Sequence, residues 1–332
     1  MKILAASVGH DSSVCLLENG NISFHMEEEK TTYNKKDPFP MYVFKELRKY
    51  IKGEIDYYII THLNLPKLNP FIELFENDIP YKNGIKIKEK ITLTDHHLMH
   101  AACSFYGSGF KESIVFVSDG GGNIVGDFKQ QEIESVYVAS YPDQFNLIEK
   151  LYRTYDHTNT DYSMGLAFQI VCEMLGYQWH DAGKIMGLAA YGKDNKDVED
   201  FFIKINNKWV SNNFYYKGWK AKNYEELRNK PFQYKADMAY KIQNQSKERT
   251  LDRINDILKE HKLNNFIMSG GYALNCVNNY EYIKAFPNVN FYFDPLSNDG
   301  GTSLGAAKYF WHNLTQDKTI RILDSLYLGT DA

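Results

Sequence analysis

The chain has no C-x-x-C pair, no apolar run of membrane-spanning length and no strong charge of either sign. Its four cysteines, Cys15, Cys103, Cys172 and Cys276, are scattered through 332 residues in apolar or small-residue settings. Thiols so placed read as reduced and buried, in a cytoplasmic compartment. The net charge of −4 gives no global argument for nucleic acid or an anionic membrane as partner. Met1 to Val8 imitates the start of a signal peptide, but its apolar run is short and stops at Gly9-His10-Asp11. What is present is ordinary for an ordered globular protein: 43% hydrophobic and 24% charged residues, in a chain long enough for two domain-sized cores.

Against this plain background one constellation stands out. Asp95-His96-His97-Leu98-Met99-His100 is followed by Ser118-Asp119-Gly120-Gly121-Gly122 and much later by Asn298-Asp299-Gly300-Gly301. His96 and His100 are four residues apart, so on a helix they share one face and offer two imidazoles to a single ion. Asp119 and Asp299 each follow an apolar run and precede glycines, the setting of a carboxylate lifted off a strand end. Two histidines with two aspartates suit a divalent transition metal with open positions.

The local pattern is mixed α/β. Ile3–Val8, Val14–Leu17 and Ile22–His25 alternate as strands, with Asn19-Gly20 as a hairpin turn. A second strand, glycine-rich loop, strand unit runs from Ile114 through Gly120-Gly121-Gly122 to Ile124-Val125 and Phe128. This duplication resembles the actin-like ATPase and sugar-kinase superfamily, which binds nucleotide phosphates between two related domains. Asp95 is an N-cap for a helix from His96 to Tyr106 closed by Gly107. Tyr162–Leu175 reads as a buried helix, and Asp181–Gly192 is rich in small residues, among them Gly183 and Gly187. Leu251–His261 reads as an amphipathic helix. After it, Phe266-Ile267-Met268 enters Ser269-Gly270-Gly271 and leads to Asn275, a step that aims free backbone N–H groups at an anion.

Between Phe201 and Thr250 the character changes. Eleven basic residues stand against four acidic ones, a surplus of seven, and Trp209, Phe214, Tyr215, Tyr216, Trp219 and Tyr224 are interleaved. Such a stretch is either a solvated lobe or a contact for a phosphate- or ring-bearing acceptor.

Five segments together resemble one family: Gly9-His10-Asp11-Ser12-Ser13, His96–Phe110, Asp119-Gly120-Gly121-Gly122, Gly183–Gly192, and Ser269–Asn275 with Asp299–Ala307. They resemble the O-carbamoyltransferases of the NodU/CmcH type, in the family's order and over almost the whole chain. The resemblance implies an actin-like fold of two RNase-H-like halves, here residues 1–112 and 113–332, with the 201–250 stretch as an insertion in the second. It implies a metal, usually iron, that holds a nucleotide, and transfer of a carbamoyl group from carbamoyl-adenylate to a hydroxyl of a small molecule or nucleotide. His96, His100, Asp119 and Asp299 would be the ligands. His10 would take the acceptor's proton, and Lys35 would stand near the donor, with Lys36 as the alternative register. Asp11, Ser12, Gly120, Gly121, Lys184, Gly187, Gly270, Gly271 and Asn275 would meet the nucleotide or donor.

The chemistry agrees with these roles. Deprotonating a hydroxyl calls for a base near neutral pKa, which is histidine's range, and a departing phosphate needs positive charge. Two departures are visible. The family usually has a glutamate after the Asp-Gly-x-Gly run where this chain has Asn123. Full members also continue into a domain that makes carbamoyl-adenylate, so the expectation is a separated transfer module, a fragment, or a member that obtains its donor from a separate carbamoyl-adenylate-forming protein. A tRNA threonylcarbamoyl transferase and a non-catalytic nucleotide-binding subunit remain as alternative readings.

Overall fold

The computed structural model describes residues 1–64, 69–126, 130–154, 162–212, 222–323 and 325–329. Two sheets dominate. The first contains β1 (Lys2–Val8), β2 (Ser13–Glu18), β3 (Asn21–Glu27), β4 (Ile55–His62) and β5 (Ile87–Leu93), in the order β3-β2-β1-β4-β5. β1, β2 and β3 are antiparallel neighbours, whereas β1–β4 and β4–β5 are parallel. Asn19 and Gly20 both adopt positive φ, at 49° and 83°, the primed turn that matches the twist of a tight hairpin. The parallel pairs need crossovers, which α1 (Met41–Leu47) and α2 (Asn69–Asn77) provide.

The second sheet repeats the first. β6 (Glu112–Ser118) pairs antiparallel with β8 (Gln130–Ser140), and β8 with β9 (Gln144–Thr154). β6 is parallel to β12 (Asn265–Ser269), and β12 to β13 (Asn290–Phe293). The path β9-β8-β6-β12-β13 therefore copies β3-β2-β1-β4-β5 in order and direction. The segment after the glycine loop differs from the sequence expectation. β7 (Ile124–Val125) is a two-residue strand on β8, the partner of β6 is β8 itself, and Phe128 lies outside the described residues.

Helices fill the faces between. α3 (His96–Ser108) and α8 (Thr302–Thr315) lie side by side, and α8, although last in the chain, packs back on the first sheet. Leu304, Ala306 and Ala307 join Ile3, Ala5, Cys15, Leu17 and Ile59 in one apolar cluster. The turn of α3 comes later than expected. Gly107 is buried within the helix, and Gly109, at φ 79°, provides the left-handed stop. α4 (Met164–Leu175) starts two residues inside its expected span, because Ser163 caps it by accepting from Leu166 N–H at 3.1 Å. α5 (Ala182–Ala189) follows.

The basic stretch resolves into ordinary structure where it is described. β10 (Phe202–Ile205) and β11 (Lys208–Ser211) form a hairpin, and α6 (Phe232–His261) is a single 30-residue helix that absorbs both the end of the stretch and the expected Leu251–His261 helix. Several of its cations meet carboxylates: Lys204 reaches Asp252 at 2.7 Å, Lys241 Asp200 at 3.3 Å and Arg249 Glu134 at 3.6 Å. Tyr224 is buried. Phe214, Tyr215, Tyr216 and Trp219 lie outside the described residues. Cys276, at the start of α7 (Cys276–Ala285), is exposed rather than buried, because it and Val277 take the outer side of a first turn whose inner side is Asn278 and Asn279. No described helix is long and apolar enough to cross a membrane.

Candidate metal and nucleotide site

Asp95 caps α3 by accepting from Leu98 N–H at 3.1 Å, and this fixes the helical phase that puts His96 and His100 on one face. Their Nε2 atoms are 3.0 Å apart. Asp119 stands just past the end of β6 and Asp299 in the short turn before α8. Asp119 Oδ2 is 3.6 Å from His96 Nε2, and Asp299 Oδ1 is 3.7 Å from His96 Nε2 and 3.4 Å from His100 Nε2. One donor atom from each of these four buried residues lies within 4.8 Å of all the others. His97 points elsewhere: its Nδ1 is 2.7 Å from Ser135 Oγ.

The charges in this cluster suit a cation. Burial opposes ionisation of Asp119, but His96 and His100 outweigh it and hold the carboxyl well below the usual range. Asp299 is lowered in the same way by His10 and His96. Burial likewise disfavours the His96 imidazolium, yet Asp299 and Asp119 raise its pKa. A buried set that keeps two carboxylates ionised and stabilises positive charge between them has the donor chemistry of a mixed N/O metal site. Asp119 has a further anchor, since its Oδ1 accepts from Gly271 N–H at 2.9 Å. Gly270 makes that approach available: at φ 84°, a Cβ there would sit 2.4 Å from Ser118 O.

Asp119 and Asp299 line a cleft of about 620 Å³, and His96 and His100 lie buried against them beneath its surface. His10 lies at its edge, with Nε2 3.4 Å from Asp299 Oδ2 and Nδ1 3.5 Å from Asp11 Oδ2. Burial works against its charge, but Asp299 and Asp11 prevail and raise its pKa to about 9. The lysine beside it is Lys36. Its Nζ donates to Asp11 and stands 6.0 Å from the Trp179 ring centre, while Lys35 is exposed and does not line the cleft. The register follows from two left-handed residues, Tyr33 and Lys36, which turn the segment after Thr32 back toward Asp11.

Of the residues read as nucleotide or donor contacts, Asp11, Gly120, Gly121, Gly271 and Asn275 line the cleft. Ser12, Lys184, Gly187 and Gly270 do not. Ser12 Oγ donates to Asp37 O at 2.8 Å and shapes the His10 loop from behind. Lys184 turns to solvent and pairs with Asp181 at 2.8 Å, while its neighbours Gly183 and Met186 face the cleft. Asn275 caps α7 and exchanges hydrogen bonds with Gln243 on α6, at 2.9 and 3.1 Å. Asn123, where a glutamate is usual, ties the loop to Thr94 O and Asn64 N–H, and the nearby carboxylate is Glu132, which accepts from Asn123 N–H at 3.1 Å. The sequence reading missed Gln131, Arg153, Gln169, Trp179, His180 and Asn298 on the cleft wall. Asn298 heads the Asn298-Asp299-Gly300-Gly301 motif but was not read as a contact; the others lie in no glycine or histidine motif, and among them only Trp179-His180, an aromatic pair in the loop before α5, carried a usable sign.

Two copies of one sheet topology, joined across a cleft with carboxylates at their strand ends, define the actin-like ATPase fold. HypF, in a phosphate- and nucleotide-bound crystal form, is similar with a TM-score of 0.53 and 16% identity, over 95% of this chain and 56% of that one. The family described as Carbamoyltransferase N-terminus matches residues 73–308, and the chain belongs to that family. It is 26% identical to the nodulation protein NolNO of Sinorhizobium fredii over 252 residues, covering 73% of this chain and 34% of that protein. An uncharacterised protein of Methanocaldococcus jannaschii is 26% identical over 334 residues, covering 87% of this chain and 52% of its own. The chain thus spans about half, or less, of the length of these curated relatives.

Proposed function

We propose that this chain is a carbamoyl-transfer unit, moving a carbamoyl group from carbamoyl-adenylate to a hydroxyl of a small molecule or nucleotide. The observation that carries the reading is the convergence of His10, Lys36, Asp119 and Asp299 in one cleft of a carbamoyltransferase-family chain, with His96 and His100 clustered against the two aspartates. In the reaction the acceptor oxygen forms a bond to the carbamoyl carbon, the bond from that carbon to the phosphate oxygen breaks, and AMP leaves. The acceptor's proton passes to the His10 imidazole. Asp299 is the largest single support for His10 in its charged form, so engaging that carboxylate favours the neutral ring that acts as base. Lys36 offers its ammonium to the departing phosphate.

Gly120, Gly121 and Gly271 let the nucleotide approach backbone closely, and Asn275 offers it an amide already oriented by Gln243. A divalent metal, iron in this proposal, would be held by His96, His100, Asp119 and Asp299 and would supply positive charge beside the phosphate. The cleft walls would shield carbamoyl-adenylate from water. The donor would arrive from a second domain or a separate protein. Chemically made carbamoyl-adenylate, offered with a panel of hydroxylated acceptors, should give a carbamate ester by mass spectrometry. An acceptor that is bound but carbamoylated no faster than by a His10→Asn variant would contradict the reading.

A further inference from the structure

Asp119 and Asp299 are held in different ways. Asp119 has the Gly271 N–H on its carboxylate, whereas no described backbone N–H donates to the Asp299 carboxylate, whose direction therefore depends on the backbone that carries it. That backbone is gripped by the first sheet. The carbonyl of Gly300 accepts from Ser13 Oγ at 2.7 Å and from His25 Nε2 at 3.0 Å, which uses both lone pairs. Thr302 Oγ1 lies 2.6 Å from Asp299 O and 2.9 Å from Ser7 Oγ. Asn298 Nδ2 donates to Glu27 Oε1 at 3.3 Å, and the same oxygen sits 2.2 Å from where a Cβ of residue 300 would stand. Three neighbouring strands, β1, β2 and β3, thus hold one five-residue loop from nearly three hundred residues away in the chain.

We propose that Ser13 and His25 are positioning residues for the metal centre, fixing Asp299 against His96 and His100 through the carbonyl of Gly300. The inference rests on reading the histidine–aspartate cluster as a cation site. Both residues are buried, at 0% and 7% exposure, so their hydrogen bonds do not compete with water. A carbonyl can only accept, so His25 carries its proton on Nε2; burial holds the ring neutral by pushing its pKa down to about 4. With one tautomer and one partner, the ring acts as a rigid strut. Losing it leaves Gly300 O short of a donor, and the loop can then rotate Asp299 by the few tenths of an ångström that a metal site does not tolerate.

The test is Co²⁺ binding to metal-stripped protein, read from the d–d absorbance in competition with a chelator. His25→Leu and Ser13→Ala should each raise the Kd about tenfold, the usual effect of losing a support behind a metal ligand. His25→Gln, which keeps a donor near the Nε2 position, should restore it to within about twofold. A merely structural role would lower Tm in His25→Leu without moving the Kd, and a folded His25→Leu protein of unchanged affinity would overturn the proposal. If His25→Leu does not fold, Ser13→Ala decides by the same criterion. Wild-type protein that binds no Co²⁺ would instead defeat the metal reading itself, and this inference with it.

Discussion

His10 Nε2 stands 3.4 Å from Asp299 Oδ2, while the other oxygen of the same carboxylate stands 3.4 Å from His100 Nε2. One side chain thus links the group proposed to take the acceptor's proton to the group proposed to hold the metal. In metal-stripped protein, Asp299 and Asp11 overcome burial, and His10 should titrate near pH 9. Because its pKa is raised above the ordinary 6.5, His10 stabilises the fold fully below about pH 6.5, and this contribution is lost as pH rises through about 9. Asp299→Asn should lower the midpoint clearly below 9, as followed by NMR of the imidazole. An unchanged midpoint would break the link.

Metal content separates His96 from its neighbour. His96→Ala removes one of two facing imidazoles and should lose most bound metal, whereas His97→Ala touches a ring engaged with Ser135 and should keep it. Elemental analysis of both purified variants checks this, and equal metal content would refute the ligand assignment.

The cleft lysine is the next point of test. Lys36→Ala should slow carbamoyl transfer about a hundredfold, the scale of losing one positioned charge at a leaving group. Lys35→Ala should be within about twofold of wild type, because Lys35 is exposed and outside the cleft. Initial rates at saturating donor decide between them.

Much of this site was legible before any coordinates. Helical spacing was enough to pair His96 with His100, and the apolar run ahead of Asp119 marked it as a strand-end carboxylate; Asp299 was expected at a strand end too, but β13 stops at Phe293 and Asp299 sits in the turn before α8. The rest depended on geometry that residue patterns do not carry. Lys35 and Lys36 differ by one position, and only the positive φ values at Tyr33 and Lys36 choose between them. Lys184 sits among cleft residues in sequence, but a helix turns each successive side chain by about 100°, and Asp181 draws it outward. The long helix α6 was half hidden because its inner face is partly polar: Gln243, Ser246 and Thr250 are buried there in hydrogen bonds rather than in an apolar stripe. The β8–β9 hairpin was hidden for a related reason, since Gln131, Glu132, Glu134 and Ser135 lie on its buried strand.

Stability should also report on His25. Its folded-state pKa is pushed down to about 4 by burial, so the unfolded chain takes up a proton at a higher pH than the folded one. Stability should therefore fall as pH drops from about 6.5 toward about 4, by about 3 kcal/mol in that window. His25→Gln should flatten this part of the curve, measured by urea unfolding at stepped pH. A slope that persists unchanged would place the acid sensitivity elsewhere.

The most direct measurement follows the carbamoyl carbon itself. Carbamoyl-adenylate labelled at that carbon, incubated with metal-loaded protein and an accepted hydroxyl compound, should deliver the label to the acceptor as a carbamate ester. One AMP should be released per ester, and both should be lost in the His10→Asn and His96→Ala variants. Label that appears only in hydrolysis products, or ester that forms equally well in the His10→Asn protein, would contradict carbamoyl transfer in this cleft.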